Sequence, residues 1–197
     1  DFDLPQSDRE GQIRIKSLLR FCDARSISAG KILIRAGVGV QIQCWSPETI
    51  AVFQPDGEDD ALDVLAHRWP VMIPREIREK AFEVDEELIL PDSVPRPEKL
   101  MYYRMTADVD DKKVLGNKLV FRGSGRLHLL YSSSDGQLHT WDFEIPFSQY
   151  VQLEESFSPE ADAEVLPEVT ALELILDSEG KLQLHTGMTG QYLIADR

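Results

Sequence analysis

Positive charge is scarce in this chain. Its 197 residues hold 21 Lys and Arg against 35 Asp and Glu, a net charge of −14. A surface of that sign repels phosphate backbones and anionic lipid, which sets nucleic-acid binding and membrane-surface binding aside and favours a basic protein partner. Cysteine is scarcer still. Cys22 and Cys44 are the only two and no CxxC occurs, so no disulfide framework holds the chain together, and both are expected as buried thiols of a reducing compartment. No apolar run approaches the ~20 residues of a membrane-spanning helix, and no signal peptide is visible. The motifs GxSxG, HExxH and the P-loop are all missing, which removes the commonest hydrolase, zinc-protease and nucleotide signatures.

What the sequence has instead is alternation. From Lys31 to Cys44, Ile32, Ile34, Ala36, Val38, Val40, Ile42 and Cys44 take every second position. Seven matches to a period of two predict a long strand with one apolar face. Its middle is small, at Ala36, Gly37 and Gly39, as at a bend, a bulge or a close backbone approach. The pattern returns at Lys118 to Tyr131, where Leu119, Phe121, Gly123, Gly125, Leu127, Leu129 and Tyr131 share a face. It returns again at Lys181 to Ile194, with Leu182, Leu184, Thr186, Met188, Gly190, Tyr192 and Ile194.

These strands belong to an internal repeat. Gly30-Lys31-Ile32 answers to Asn117-Lys118-Leu119 and to Gly180-Lys181-Leu182. Gly and Asn tolerate left-handed backbone, so each strand is expected to be entered through a tight turn. Downstream, His67-Arg68-Trp69-Pro70-Val71-Met72-Ile73-Pro74 matches His139-Thr140-Trp141-Asp142-Phe143-Glu144-Ile145-Pro146. The fold class that follows is all-β: two similar β-sandwich-like units plus a partial third copy. Unit one is expected over 1–90, with an acidic loop at 55–63, and unit two with the partial copy over 91–197. The third copy either continues outside this sequence or completes one of the other units. Further expectations are a strand at 11–21, a helical turn around Pro74 to Phe82, and a linker from Pro91 to Glu98, which holds three prolines.

Candidate sites are few. Gly37-Val38-Gly39 and Gly123-Ser124-Gly125 lie inside alternating strands with no helix to follow, which excludes a dinucleotide fingerprint. His67 and His139 occupy one repeat position, and His128 and His185 fall on polar strand faces; none has a second ligand at zinc spacing. No cofactor, metal or catalytic residue is therefore assigned. The acidic run lacks EF-hand spacing and reads as a solvated loop. Trp69 and Trp141 alternate with Val71, Ile73, Phe143 and Ile145, as core residues do. Trp45, one residue beyond the apolar face, is the aromatic best placed for a contact. Asp56, Glu58, Asp59 and Asp60 sit where the two copies differ most and complete the candidate interaction residues.

One stretch carries a resemblance. Val114-Leu115-Gly116-Asn117-Lys118-Leu119-Val120-Phe121-Arg122-Gly123, then Leu129-Leu130-Tyr131, then Glu144-Ile145-Pro146-Phe147-Ser148-Gln149 resembles the SPOCS domain of SipL-type spore-morphogenesis proteins. The resemblance spans about Leu88 to Glu155; unit one departs from it, with Pro74-Arg75-Glu76 where unit two has Pro146-Phe147-Ser148. It implies a non-catalytic scaffold of spore coat and cortex assembly, on the cytoplasmic, mother-cell side of the envelope. It also implies a protein partner, the candidate being a coat-basement protein that such proteins engage through a LysM module, which is not visible here. The domain offers no catalytic residues to carry over. The alternative is a glycan-binding β-sandwich, for which Trp45, Tyr102 and Tyr103 would have to form one coplanar platform.

Overall fold

The structure, a computed structural model, describes residues 12–46, 71–178 and 180–196. Every regular element among them is a strand: β1 (Gln12–Ser28), β2 (Lys31–Trp45), β3 (Ile73–Leu88), β4 (Lys99–Leu115), β5 (Lys118–Ser132), β6 (Leu138–Gln152), β7 (Asp162–Leu176) and β8 (Leu182–Asp196). The three long strands expected from alternation are β2, β5 and β8. The chain divides into two compact units, Asp1–Pro70 and Val71–Arg197.

The second unit holds two antiparallel three-stranded sheets, ordered β4-β5-β6 and β3-β8-β7. Their inward faces share one core. The alternate positions of β5 that were expected on one face, from Leu119 to Tyr131, are all buried, as are those of β8 from Leu182 to Ile194. Phe82 of β3 bridges the sheets, its ring 6.2 Å from Phe121 and 5.4 Å from Phe147. The prolines within strands are Pro74 on β3, Pro146 on β6 and Pro167 on β7. None falls on β5 or β8, the central strands, where a missing N–H would break a ladder on one side or the other.

The first unit shows one hairpin, β1–β2. Among the described residues, β1 and β2 pair only with each other. β1 runs seven residues beyond the strand expected at 11–21, because β2 offers it a partner along its whole length.

Three hairpins repeat one plan. β1–β2, β4–β5 and β7–β8 turn through Gly30, Gly116 and Gly180, each at positive φ. Seven residues after each comes a second glycine: Gly37, Gly123 and Gly187. Beside it the register slips by one residue in the opposite strand, at Arg20, Asp110 and Thr170. A bulge bends its strand and sharpens the twist, and the missing side chain leaves room for it. This is the physical content of the small residues seen mid-strand.

The partial third copy is completed from within the chain. β7–β8 acquires its third strand from β3, which lies between the first and second hairpins in sequence. The helical turn expected around Pro74 to Phe82 is therefore a correction: these residues lie in β3. Arg-Glu-Ile-Arg-Glu-Lys-Ala favours helix locally, but fifteen residues of β3 find register partners on β8, and that pairing overrides the local preference. Val71, expected on the apolar face of a strand, precedes β3 and is exposed. The segment from Pro91 to Glu98 holds no strand, yet it is tied down: the Tyr131 hydroxyl donates to the Pro95 carbonyl at 2.8 Å, and Val94 packs on the core.

Candidate interaction surface

In an antiparallel sheet, side chains that do not face the core face outward, and strand register places them in rows. Across β3, β8 and β7 the outward positions form a field of one sign. β3 contributes Glu79, Glu83, Asp85 and Glu87, and β7 contributes Asp162, Glu164, Glu168 and Glu173. β8, between them, contributes Gln183, His185, Gly187, Thr189, Gln191 and Leu193. None of these register positions is Lys or Arg. Lys181 lies 3.3 Å from Glu87 at one end of this field, and the Nδ1 of His185 is 2.7 Å from Asp85.

The outward face of β4-β5-β6 is different. Lys99, Arg104, Lys113, Lys118, Arg122 and Arg126 stand there against Asp108, Asp111, Asp142 and Glu144. The faces thus carry +2 and −8 with His neutral. His128 makes the same kind of cross-strand pair here, 2.6 Å from Asp142, as His185 makes on the acidic sheet. The hairpin of the first unit goes further in the same direction. Between Gln12 and Trp45 it holds Arg14, Lys16, Arg20, Arg25, Lys31 and Arg35 against Asp23 alone. The register puts Arg14, Lys16, Arg25, Lys31 and Arg35 on one face. Arg20, at the bulge, lies over the same face: its Nε is 2.8 Å from where a side chain on Gly39 would begin. The opposite face carries Ile13, Ile15, Leu19, Ile32, Ile34, Val38 and Val40 and is apolar almost throughout.

At one end of the second unit, the β5–β6 and β7–β8 turns and the 95–98 segment surround an open cleft of about 570 Å³. Arg96, Glu98, Ser133, Asp135 and Asp177 line it. Several of its polar groups are already engaged. The Ser133 hydroxyl donates to Asp135, and the Gln137 N–H donates to the same oxygen at 3.1 Å. Both hold the Asp135 carboxyl below its usual range, the serine most. His139 Nε2 lies 3.0 Å from the Ser133 oxygen, and its ring sits 5.5 Å from that of Tyr131. This network closes a turn. His139 thus has a structural role at this turn; His67 lies outside the described residues.

A buried carboxylate escaped the reading of the sequence. Glu76 is 4% exposed. It accepts the Tyr192 hydroxyl at 3.0 Å and the Glu154 N–H at 3.1 Å, joining β3, β8 and the chain after β6; Arg78 also pairs with Glu154. Burial, followed by the bond to Glu76, drives the Tyr192 hydroxyl well above its usual pKa. Glu76 was hidden because its segment reads as helix, and because its partners stand 78 and 116 residues away.

Of the candidate interaction residues, Asp56, Glu58, Asp59 and Asp60 lie outside the described residues, as does Trp69. Trp45 is half-buried at the end of β2, opposite Gln12. Cys22 and Cys44 are free but exposed, which corrects the expectation of buried thiols: both lie on the apolar face of β1–β2, over which no described strand is paired. Trp141 packs against the core from β6 but is only half-buried, because it sits on an outer strand. Tyr102 and Tyr103 cannot form a platform together. Tyr102 pairs with Leu130 and points outward, while Tyr103 pairs with Leu129 and packs on the core. Among the described residues no group of three or more His, Cys, Asp or Glu is arranged to hold a metal, and no helix is long and apolar enough to cross a membrane.

Residues 97–176 match the family model described as SipL, SPOCS domain. They span β4 to β7, and the sheets are completed by β3 before and β8 after. No curated protein and no solved structure matches the chain.

Proposed function

We propose that this chain, which carries a SPOCS domain of the sporulation-related SipL family, is a non-catalytic scaffold that binds another protein during assembly of the spore coat and cortex. The single observation behind the reading is the separation of charge. Eight carboxylates with no intervening Lys or Arg cover the outer face of β3-β8-β7, while the opposite face is nearly neutral. Folding alone gives no reason to hold eight like charges on one sheet, since facing like charges destabilise it. A basic protein surface would relieve that repulsion and be steered to the correct face. On this reading the partner is sought in the developing spore envelope, on the mother-cell side, with a coat-basement protein as the first candidate.

The test uses the full chain in sporulating cells and in purified form. Glu83→Gln, Asp85→Asn, Glu168→Gln and Glu173→Gln together should abolish binding to purified spore-envelope proteins, and wild-type binding should weaken as salt rises. A parallel variant with Ser at Asp56, Glu58, Asp59 and Asp60 measures what the acidic loop adds. Undiminished binding by both variants sets aside acidic docking. Turnover of a defined substrate, lost on changing one carboxylate, would overturn the non-catalytic reading.

A further inference from the structure

The same chain that presents an acidic sheet face also presents its complement. The hairpin β1–β2 carries six cations and one carboxylate in a protein of net charge −14. Lys16, Arg20, Arg25, Lys31 and Arg35 are exposed and share one face. The bulge at Arg20 and the bare backbone of Gly39 are what bring Arg20 onto that face. We infer that the chain self-associates head to tail, the cationic face of β1–β2 in one copy docking on the acidic outer face of β3-β8-β7 in a second copy.

Three features support a second copy as the occupant. The charges are opposite in sign and both sets lie in open view, so approach is attractive. Both surfaces are strand-built, with side chains spaced by the same period of two, so rows of cations can fall between rows of carboxylates. The two surfaces are different patches, which makes the contact heterologous: each copy keeps one free donor surface and one free acceptor surface unless the assembly closes. A scaffold requires that property. This inference rests on the acidic face being a docking surface, and it adds a second copy of the chain as an occupant of that face.

The experiment is a charge exchange in the full chain, read by sedimentation velocity over a range of concentrations. One variant carries Arg20→Glu, Arg25→Glu and Arg35→Glu; the other carries Glu83→Lys, Glu168→Lys and Glu173→Lys. Wild-type protein should grow in mass with concentration and dissociate in high salt, where screening shrinks to about 3 Å at 1 M. Each variant alone should associate more weakly, on the order of tenfold or more, since each exposed pair contributes up to a few-fold. An equimolar mixture should recover association, because the intact acidic face of one variant then meets the intact cationic face of the other. That recovery also demonstrates that both variants are folded. A wild-type monomer at every concentration overturns the inference, as does association that survives in both variants, or a mixture that recovers nothing. If the chain stays monomeric while the neutralised face still fails to bind spore-envelope proteins, self-association is excluded and acidic docking stands.

Discussion

The hairpins β4–β5 and β1–β2 are two copies of one device with opposite fates. Both turn through a glycine at positive φ, both place a glycine seven residues later, and both bulge beside it. In β5 the apolar face is sealed against β8, and Phe121 is 0% exposed. In β2 the equivalent face is open among the described residues, and Ile34 is 65% exposed. Local sequence is therefore enough to define the hairpin, whereas burial is a property of what is paired and packed beside it.

That contrast predicts its own largest effect. Phe121→Ala should destabilise the second unit by about 3–5 kcal/mol, through lost transfer energy and the cavity left between the sheets. Ile34→Ala, on the apolar face of β2, should cost about 0.5 kcal/mol or less. Denaturant melts with tryptophan fluorescence measure both. Equal costs would mean that the β1–β2 face is covered in solution and the comparison fails.

The glycines beside the bulges give the next test, with a smaller effect. A side chain at Gly123 would run into the Asp108 carbonyl and approach the Phe147 ring to 2.6 Å. The carbonyl belongs to a bulged backbone that cannot retreat without breaking the register. Gly123→Ala should cost about 1–3 kcal/mol, at the upper end of that range. At Gly37 the obstacle is only the Phe21 ring, which is 57% exposed and free to swing away. Gly37→Ala should be nearly neutral by the same melt. A large cost there would show that Phe21 is held in place, and with it a covered hairpin.

The sequence disclosed each hairpin well and their assembly poorly. Alternation is a local signal, so β2 and β5 were bounded to within a residue, and the buried faces of β5 and β8 were named position by position. The small mid-strand residues left a bend, a bulge or a close approach open, and the structure places bulges at Arg20 and Asp110. The partnership of β3 with β8 was invisible because it joins residues about 100 apart, such as Phe82 and Met188, and because Arg75 to Ala81 looks helical in isolation. The charge of the outer faces was equally hidden: Glu83 and Glu168 belong to one surface only after β8 has been placed between them. Composition spoke of a net −14 and of a basic partner, but register was needed to show where the negative charge collects and that β1–β2 opposes it. The acidic loop drew attention as a run in sequence; the sheet face is a cluster that exists only in three dimensions.

The smallest effect concerns the polar seam that the second unit has and the β1–β2 hairpin does not show. The Tyr192 hydroxyl donates to Glu76 at a site where both are buried. Tyr192→Phe leaves that carboxylate one donor short and should cost about 1 kcal/mol at neutral pH. The pH dependence identifies the cause. Burial and Glu76 raise the Tyr192 pKa above the unfolded value of 10.0, so the folded state holds the phenolic proton more tightly than the unfolded state. The stabilisation is fully present below pH 10, because the hydroxyl is protonated in both states there. Above pH 10 the unfolded state ionises first and folding becomes progressively less favourable, until the folded pKa is passed. The Phe variant lacks this loss, so the stability gap between wild type and Tyr192→Phe should narrow as pH rises from 9 to 11. Tyr131, also raised by burial, titrates in both proteins and cancels in the difference. A gap that stays constant over that interval would mean that Tyr192 supports the fold through its ring alone, and that Glu76 is held by the Glu154 N–H without it.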